Sequence, residues 1–494
     1  MSRRIRILAG ALLFGCLIML YLNFISGKDE KLRKDLHLMP MDSACHTYFD
    51  SFMIKGQDGR PEPTLRERIQ AMRAYNACFF KHRHTVSKSN DYLKDVNRKV
   101  FPMFKEGVKI DSSRYANRVG VVTAIDASNM HFLPRLVGVI RMLDNNIPIE
   151  IAHWGSLDES YRLQVMDAGG HRKIKFRNVG EYISDDFQDM NAWTLNFLAM
   201  IFSEFADVVY IEPDTVPLTK LGHHFQGIDY QITGALFFRD RYIPNEYYSA
   251  KEQNIYQQLM PTSEEMVAFR MNLDYDDRHI FEASILKNQV SGGMVLMDKK
   301  RHLLGLLIGL MLQIEKTTSE PTLGCKELMW ISQYIAGDSD FTINEQYPGA
   351  IGELVKNDDD SREITSTHLA QMNTDLDLLW ISGGMQTCPL ESWQEDWNSV
   401  PELRQKFQDE KALKDSYLKS FHPHYVLVPS DETSPKPDEK SRFKSWLQIK
   451  EEGCRGYYWR SKDSPKQPGR MKKLSTDDVD FLDDIRRAWK LENI

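Results

Sequence analysis

Glu212 and Asp214 stand on either side of Pro213, at the point where a four-residue apolar run, 208–211, stops. Residues two apart on an extended chain point the same way, so both carboxylates of this Glu-Pro-Asp can face one cation. Hard oxygen ligands of this kind suit Mg2+ or Mn2+, ions that also take substrate phosphates as ligands. Pro213 fixes its own φ and lacks an N–H that a terminating strand can spare. Acid-x-acid after an apolar run is also an ordinary solvated turn, so the surrounding elements decide between the two.

Those elements alternate. Continuous apolar or strand-like runs at 119–125, 148–154, 173–179 and 207–211 are separated by segments of helical character at 133–146, 157–169 and 192–205. The pattern predicts βαβ units and a parallel sheet. In an open parallel sheet, ligands bind beyond the carboxyl ends of the strands, which is where Glu212 and Asp214 fall. Further strands are expected at 231–238 and 289–298, helices at 299–315 and 326–336, a charged, proline-containing loop at 431–442 and an amphipathic helix at 475–491. The run at 303–314 has only 12 apolar-rich residues, which fits a buried helix and not a membrane span.

The chain has 494 residues, 42% hydrophobic and 27% charged, enough for two or three globular parts. A net charge of −7 speaks against a general nucleic-acid binder, and no repeat of solenoid period occurs. Three arginines precede a nearly unbroken apolar stretch at 7–25, long enough to cross a bilayer. The positive-inside rule then leaves residues 1–6 in the cytosol and the remainder in the lumen, as a type II signal anchor. A cleaved signal peptide is the alternative, although its apolar region is usually shorter and ends in small residues. In the oxidising lumen, Cys45, Cys78, Cys325, Cys388 and Cys454 are odd in number, so at most two bridges form and one thiol is left. Cys45–Cys78 is the favoured local bridge. No Asn-x-Ser/Thr sequon is present. The expected division is tail 1–6, span 7–25, stem 26–115, catalytic domain 116–390 and a C-terminal extension 391–494 packed on it.

Several stretches together carry a family resemblance: YIEPDTVPL (210–218), SGGMVLMDKKRH (291–302), the segments 326–352 and 367–384, GCRGYYW (453–459), and CHTYFDSF with YNACFF in the stem. The chain resembles the fungal α-mannosyltransferases of glycosyltransferase family 71, whose best-known members add α-1,3-linked mannose. The resemblance implies a nucleotide-sugar-binding GT-A-like fold, a Golgi location and retaining, Mn2+-dependent transfer of mannose from GDP-mannose to a mannose-terminated, protein-linked glycan. It also leaves room for a Golgi complex or a homo-oligomer. Asp214 and Glu212 would then be the metal-holding catalytic acids, with Glu212 standing where the family usually has aspartate. Thr123 and Asp126 would contact the nucleoside, unless Asp126 is only a helix cap. Gly292 and Gly293 would allow close approach of the donor or mark a bulge; Asp298 would face the donor sugar or cap the next helix. Gly383 and Gly384 would shape an acceptor loop. His368 is the candidate third metal ligand, with His422 and His424 as competitors and a structural histidine as the plain alternative. The other functions to weigh are an α-1,2-mannosyltransferase and a non-catalytic, membrane-tethered scaffold or lectin-like protein.

Overall fold

The computed structural model describes residues 41–490, except 57–60, 82–89, 109, 111–114, 188–190, 244–245, 270, 272, 283–284, 286, 323, 430–444, 450–452, 455–456, 464 and 466–467. The expected membrane span at 7–25 and the charged loop at 431–442 lie outside the described residues. Among the described residues no helix is long and apolar enough to cross a membrane.

Strands β1 (Ala116–Ala124), β2 (Ile149–His153), β3 (Ile174–Asn178) and β4 (Phe205–Ile211) alternate with helices, as the periodicity requires. They lie side by side and parallel in the order β3-β2-β1-β4. Beyond β4 the sheet continues through β7 (Val290–Asp298), β6 (Ala235–Arg239) and β8 (Thr342–Ile343). β7 is antiparallel to both its neighbours, and β8 is parallel to β6. Every strand but β7 therefore points the same way, giving a mixed α/β fold with a mainly parallel sheet.

Burial on both faces explains why β4 reads as an unbroken apolar run. Val208 and Tyr210 join a core formed with the helices Ala192–Phe202, Lys299–Ile314 and Lys326–Ala336. Val209 and Ile211 join a second core with the helices Leu133–Leu143 and Thr476–Lys490. Residues 303–313 are buried throughout, as the apolar run predicts. Residues 231–238 divide, contrary to the single strand expected there. Ile228–Thr233 is helical, Gly234 ends it at φ +77°, and β6 begins at Ala235. A left-handed residue at that position stops a helix, and glycine adopts it without a Cβ penalty.

A second sheet is wholly antiparallel. It runs β17 (Arg470–Lys473), β14 (Tyr425–Val428), β9 (Gly349–Gly352), β12 (Leu369–Met372), β13 (Leu378–Ser382) and β5 (Val216–Pro217). A smaller antiparallel sheet orders β10 (Val355–Lys356), β11 (Arg362–Ser366), β16 (Trp459–Lys462) and β15 (Trp446–Gln448). Because β14 pairs with β9 and β17 with β14, residues on both sides of position 390 share one hydrogen-bonded sheet.

The segment before β1 is equally built in. Cys45, Phe49, Ile69 and Met72 belong to the same core as Phe205 and Leu306, and Cys45 is bonded to Cys78. Arg73, 1% exposed, reaches from the helix Leu65–Tyr75 into the body. Its Nη2 and Nε donate to Glu265 Oε1 at 2.8 and 3.0 Å, and its Nη1 donates to the carbonyls of Leu259 (3.0 Å) and Ile335 (2.8 Å). Breaking a buried pair on one side strands the other charge, at about 3–5 kcal/mol. Arg73→Met is therefore expected to lower the urea midpoint of the full chain by about that free energy, and Arg73→Met/Glu265→Met to recover most of it. A single variant as stable as the parent would contradict this.

Candidate active site

A cleft of about 340 Å³ opens at the carboxyl ends of β1 and β4. Ala124, Asp126, Tyr210, Glu212, Pro213 and Asp214 are among the residues that line it. Backbone bonds fix the acid turn. Glu212 N donates to Gly293 O at 3.0 Å, extending the β4–β7 pairing, and Thr215 N donates to Glu212 O at 3.0 Å, closing the turn. Gly384 N then donates to Asp214 O at 2.7 Å, tying the turn to the end of β13. Gly383 and Gly384 hold φ of +90° and +75°, a left-handed pair that side chains disfavour, and Gly383 lines the cleft.

Glu212 and Asp214 are both partly buried. Burial first, and then the neighbouring Asp214 carboxylate, push the Glu212 carboxyl up to about 8, against the pull of Lys326. Behind them Lys326 is ion-paired with Asp240. Burial raises the Asp240 carboxyl, but Lys326 and Arg241 outweigh it and hold that carboxyl below its usual range. The Tyr210 hydroxyl is buried without a hydrogen-bond partner among the described residues. Its ionisation is pushed well up, by burial first and then by Glu212. The leftover thiol, Cys325, accepts from Asn196 Nδ2 at 3.2 Å, and burial followed by the Glu212 charge pushes it up to about 12. A raised carboxyl and an unpartnered phenol at the floor of one cleft are what a site awaiting charged or polar partners looks like.

The structure gathers some of the predicted residues and separates others. Asp126 lines the cleft, and its Oδ1 also accepts from Ser128 N (2.8 Å), Ser128 Oγ (2.6 Å) and Asn129 N (3.3 Å). Thr123 does not line it. It is fully buried in β1, whose neighbour Ala124 is the lining residue, and successive side chains on a strand point to opposite faces. A Cβ on Gly292 would lie 2.9 Å from Glu212 Oε1, so this glycine makes room for the acid. Gly293 lies instead beneath Trp380 and Thr215, with a Cβ there only 2.6 and 2.8 Å from them.

Asp298 is a correction. It pairs in register with Asp207 while Met294 pairs with Ile211, so antiparallel β7 carries it to the end of the sheet opposite the acids. There its Oδ1 accepts from Lys300 N at 2.9 Å and caps the following helix. His368 is 3% exposed, stacked on Phe421 with centroids 3.8 Å apart, and burial pushes it down to about 3. Among the described residues no three His, Cys, Asp or Glu side chains converge as a metal-holding group, so His368 does not complete one with the acid pair. His422 bonds Arg486 at 2.6 Å, and His424 bonds Glu353. Residues not anticipated are Tyr210, Asn196, Trp193, Phe132 and Tyr457, all lining the cleft. Of these, Tyr210 and Tyr457 lay inside stretches that carry the resemblance, YIEPDTVPL and GCRGYYW, without a role being read for either.

A family model described as putative mannosyltransferase matches residues 118–373, just over half of the chain. The protein belongs to this family of putative mannosyltransferases. Relatives include the probable α-1,3-mannosyltransferase MNT4 of Saccharomyces cerevisiae, 27% identical over 66% of this chain and 60% of its own. The α-1,3-mannosyltransferase MNT3 of the same yeast is 25% identical over 76% of this chain and 63% of its own. The matches thus span less than two thirds of either relative. Among solved structures, the mannosyltransferase Ktr4p of S. cerevisiae aligns at 9% identity with a TM-score of 0.31, over 60% of this chain and 84% of that one.

A carboxyl whose folded pKa lies above its unfolded value loses stability as pH rises between the two values, because the unfolded chain releases the proton first. For Glu212 that window runs from 4.5 to about 8. In metal-free protein, Glu212→Gln is expected to flatten the fall of the urea midpoint across this window. Parallel pH curves for variant and parent would refute the assignment.

Proposed function

We propose that this protein is a retaining, Mn2+-dependent α-mannosyltransferase. It transfers mannose from GDP-mannose to a terminal mannose of a protein-linked glycan, forming an α-1,3 linkage on the luminal side of the Golgi membrane. The observation that carries this is the pair Glu212 and Asp214 in a cleft at the carboxyl end of a central parallel strand, in a chain of the mannosyltransferase family. A GT-A-like designation is supported by the strand order β3-β2-β1-β4 and the antiparallel β7 beyond it. The names of the yeast relatives support mannose and the α-1,3 linkage. An oxidising compartment is supported by the disulfides Cys45–Cys78 and Cys388–Cys454, together with the apolar stretch at 7–25.

The donor set fits the cation. Glu212 and Asp214 offer anionic oxygens of the kind Mn2+ takes, and these two residues would hold it. When bound, Mn2+ supplies Lewis-acid neutralisation of the charge that develops on departing GDP. The chain's own residues do the rest. The raised Glu212 carboxyl gives up its proton to take that role. The Tyr210 hydroxyl, without a partner among the described residues, donates to an oxygen of the donor. Asp126, steadied through Oδ1 by Ser128 and Asn129, accepts a ribose or base donor through Oδ2. The left-handed Gly383-Gly384 turn keeps side chains off the wall where the sugar must approach. Retention requires the acceptor hydroxyl to attack from the face the diphosphate leaves, and no protein nucleophile is assigned.

The detergent-solubilised full chain, given labelled GDP-mannose, Mn2+ and an α-mannoside, is expected to transfer mannose, and to stop when the metal is chelated. Asp214→Ala should lower the rate about 100-fold or more, the scale of losing a preorganised electrostatic group. NMR of the product should show an α-1,3 linkage. Transfer by Asp214→Ala at the parent rate would remove the metal role, and no GDP-mannose binding by the parent would remove the function.

A further inference from the structure

The rim of the cleft is unlike its floor. Trp193, in the first turn of the helix Ala192–Phe202, is 49% exposed, and so is Tyr457. Both line the cleft that holds Glu212 and Asp214. Among the described residues three large aromatic side chains are exposed, Trp193, Tyr247 and Tyr457, so two of the three meet at this one opening. Aromatic surface left in water at a concave site marks a contact surface, whereas single exposed aromatics elsewhere need no explanation.

Both rings are deliberately placed. Asn191 Oδ1 accepts from Thr194 N and Thr194 Oγ1, each at 2.9 Å, and fixes the start of the helix that carries Trp193. Gly324, at φ +80°, brings the backbone so near that a Cβ there would lie 3.3 Å from Trp193 Nε1. Tyr457 N donates to Cys454 O at 2.9 Å, and Cys454 is bonded to Cys388, the residue before cleft-lining Pro389. The second disulfide thus fastens two segments of the cleft wall to each other.

We propose that Trp193 and Tyr457 form the platform that receives the acceptor saccharide, and that the Cys388–Cys454 disulfide holds the Tyr457 half in position. This rests on the transferase function proposed above. The donor's diphosphate is anionic and belongs with the cation and the recessed acids. The acceptor is an uncharged sugar that must enter from solvent over the rim. The C–H face of a pyranose packs on an aromatic ring, and the polar edge of such a ring suits the sugar's hydroxyls.

The test uses the detergent-solubilised full chain with methyl α-mannoside as acceptor probe. Trp193→Ala and Tyr457→Ala are each expected to raise the acceptor KM about tenfold, the scale of losing one buried aromatic anchor, while leaving the GDP-mannose KM unchanged. Trp193→Phe and Tyr457→Phe keep a ring and should recover most of the affinity. Cys388→Ser should reproduce the Tyr457→Ala effect on the acceptor KM. An unchanged acceptor KM overturns the proposal, as does a rise confined to the GDP-mannose KM, which would assign the rings to the guanine. Ligand-observed NMR gives a readout independent of transfer. Mannoside binding that persists in Trp193→Ala/Tyr457→Ala overturns the platform. Absence of GDP-mannose binding in the parent, measured by calorimetry, overturns the transferase function instead.

Discussion

The backbone of β4 is hydrogen-bonded on both edges, to parallel β1 and to antiparallel β7, and packed on both faces. A strand held this way cannot slip by one residue, because a slip would turn every side chain to the other face. Its end is therefore a fixed point, and the acids are attached to it. The bond from Glu212 N to Gly293 O and the bond from Gly384 N to Asp214 O extend the same restraint through the turn into the second sheet. Asp214 is thus fixed by two sheets at once, which suits a group that must stand ready before its partners arrive.

Holding two carboxylates side by side away from water is unfavourable, and the surroundings show how it is tolerated. The raised Glu212 carboxyl keeps its proton near neutrality in the absence of a cation, so the pair need not carry two charges. The positive charge that pulls against this, on Lys326, is committed to Asp240 and does not simply neutralise the acids. Farther out, buried Arg73 joins the helix Leu65–Tyr75 to Glu265 and to the end of the helix Lys326–Ala336, whose first residue is that same lysine. The amino-terminal helices are consequently part of the frame of the site.

Much of the fold was legible because strands and helices of this size carry distinct apolar periods. The four parallel strands, the buried helix at 303–314 and the position of the acids followed from that signal. Strand direction did not. Had β7 been parallel, Asp298 would have stood near Asp214; its apolar run looks the same either way, and only the antiparallel pairing sends Asp298 to cap a helix. The facing of Thr123 was unreadable for a related reason, since a run buried on both sides shows no alternation to follow. Trp193 opens a helix that is apolar almost throughout, so nothing in its sequence distinguishes the ring left in water. Tyr457 owes its place to a bridge between cysteines 66 residues apart, and spacing alone does not pair such cysteines.

The reversal at β7 also governs how the chain enters and leaves the sheet. Arg239, the last residue of β6, pairs with Val290, the first of β7, and Asp240 N meets Gln289 O at 3.2 Å. The whole excursion from 240 to 289 therefore departs and returns through one gap, beside the acids. Its middle is not free either: Tyr256, Leu259 and Phe269 pack in the main core, and Glu265 takes the Arg73 guanidinium. The excursion is a clasp, closed at its neck by strand pairing and at its far end by the amino-terminal helix.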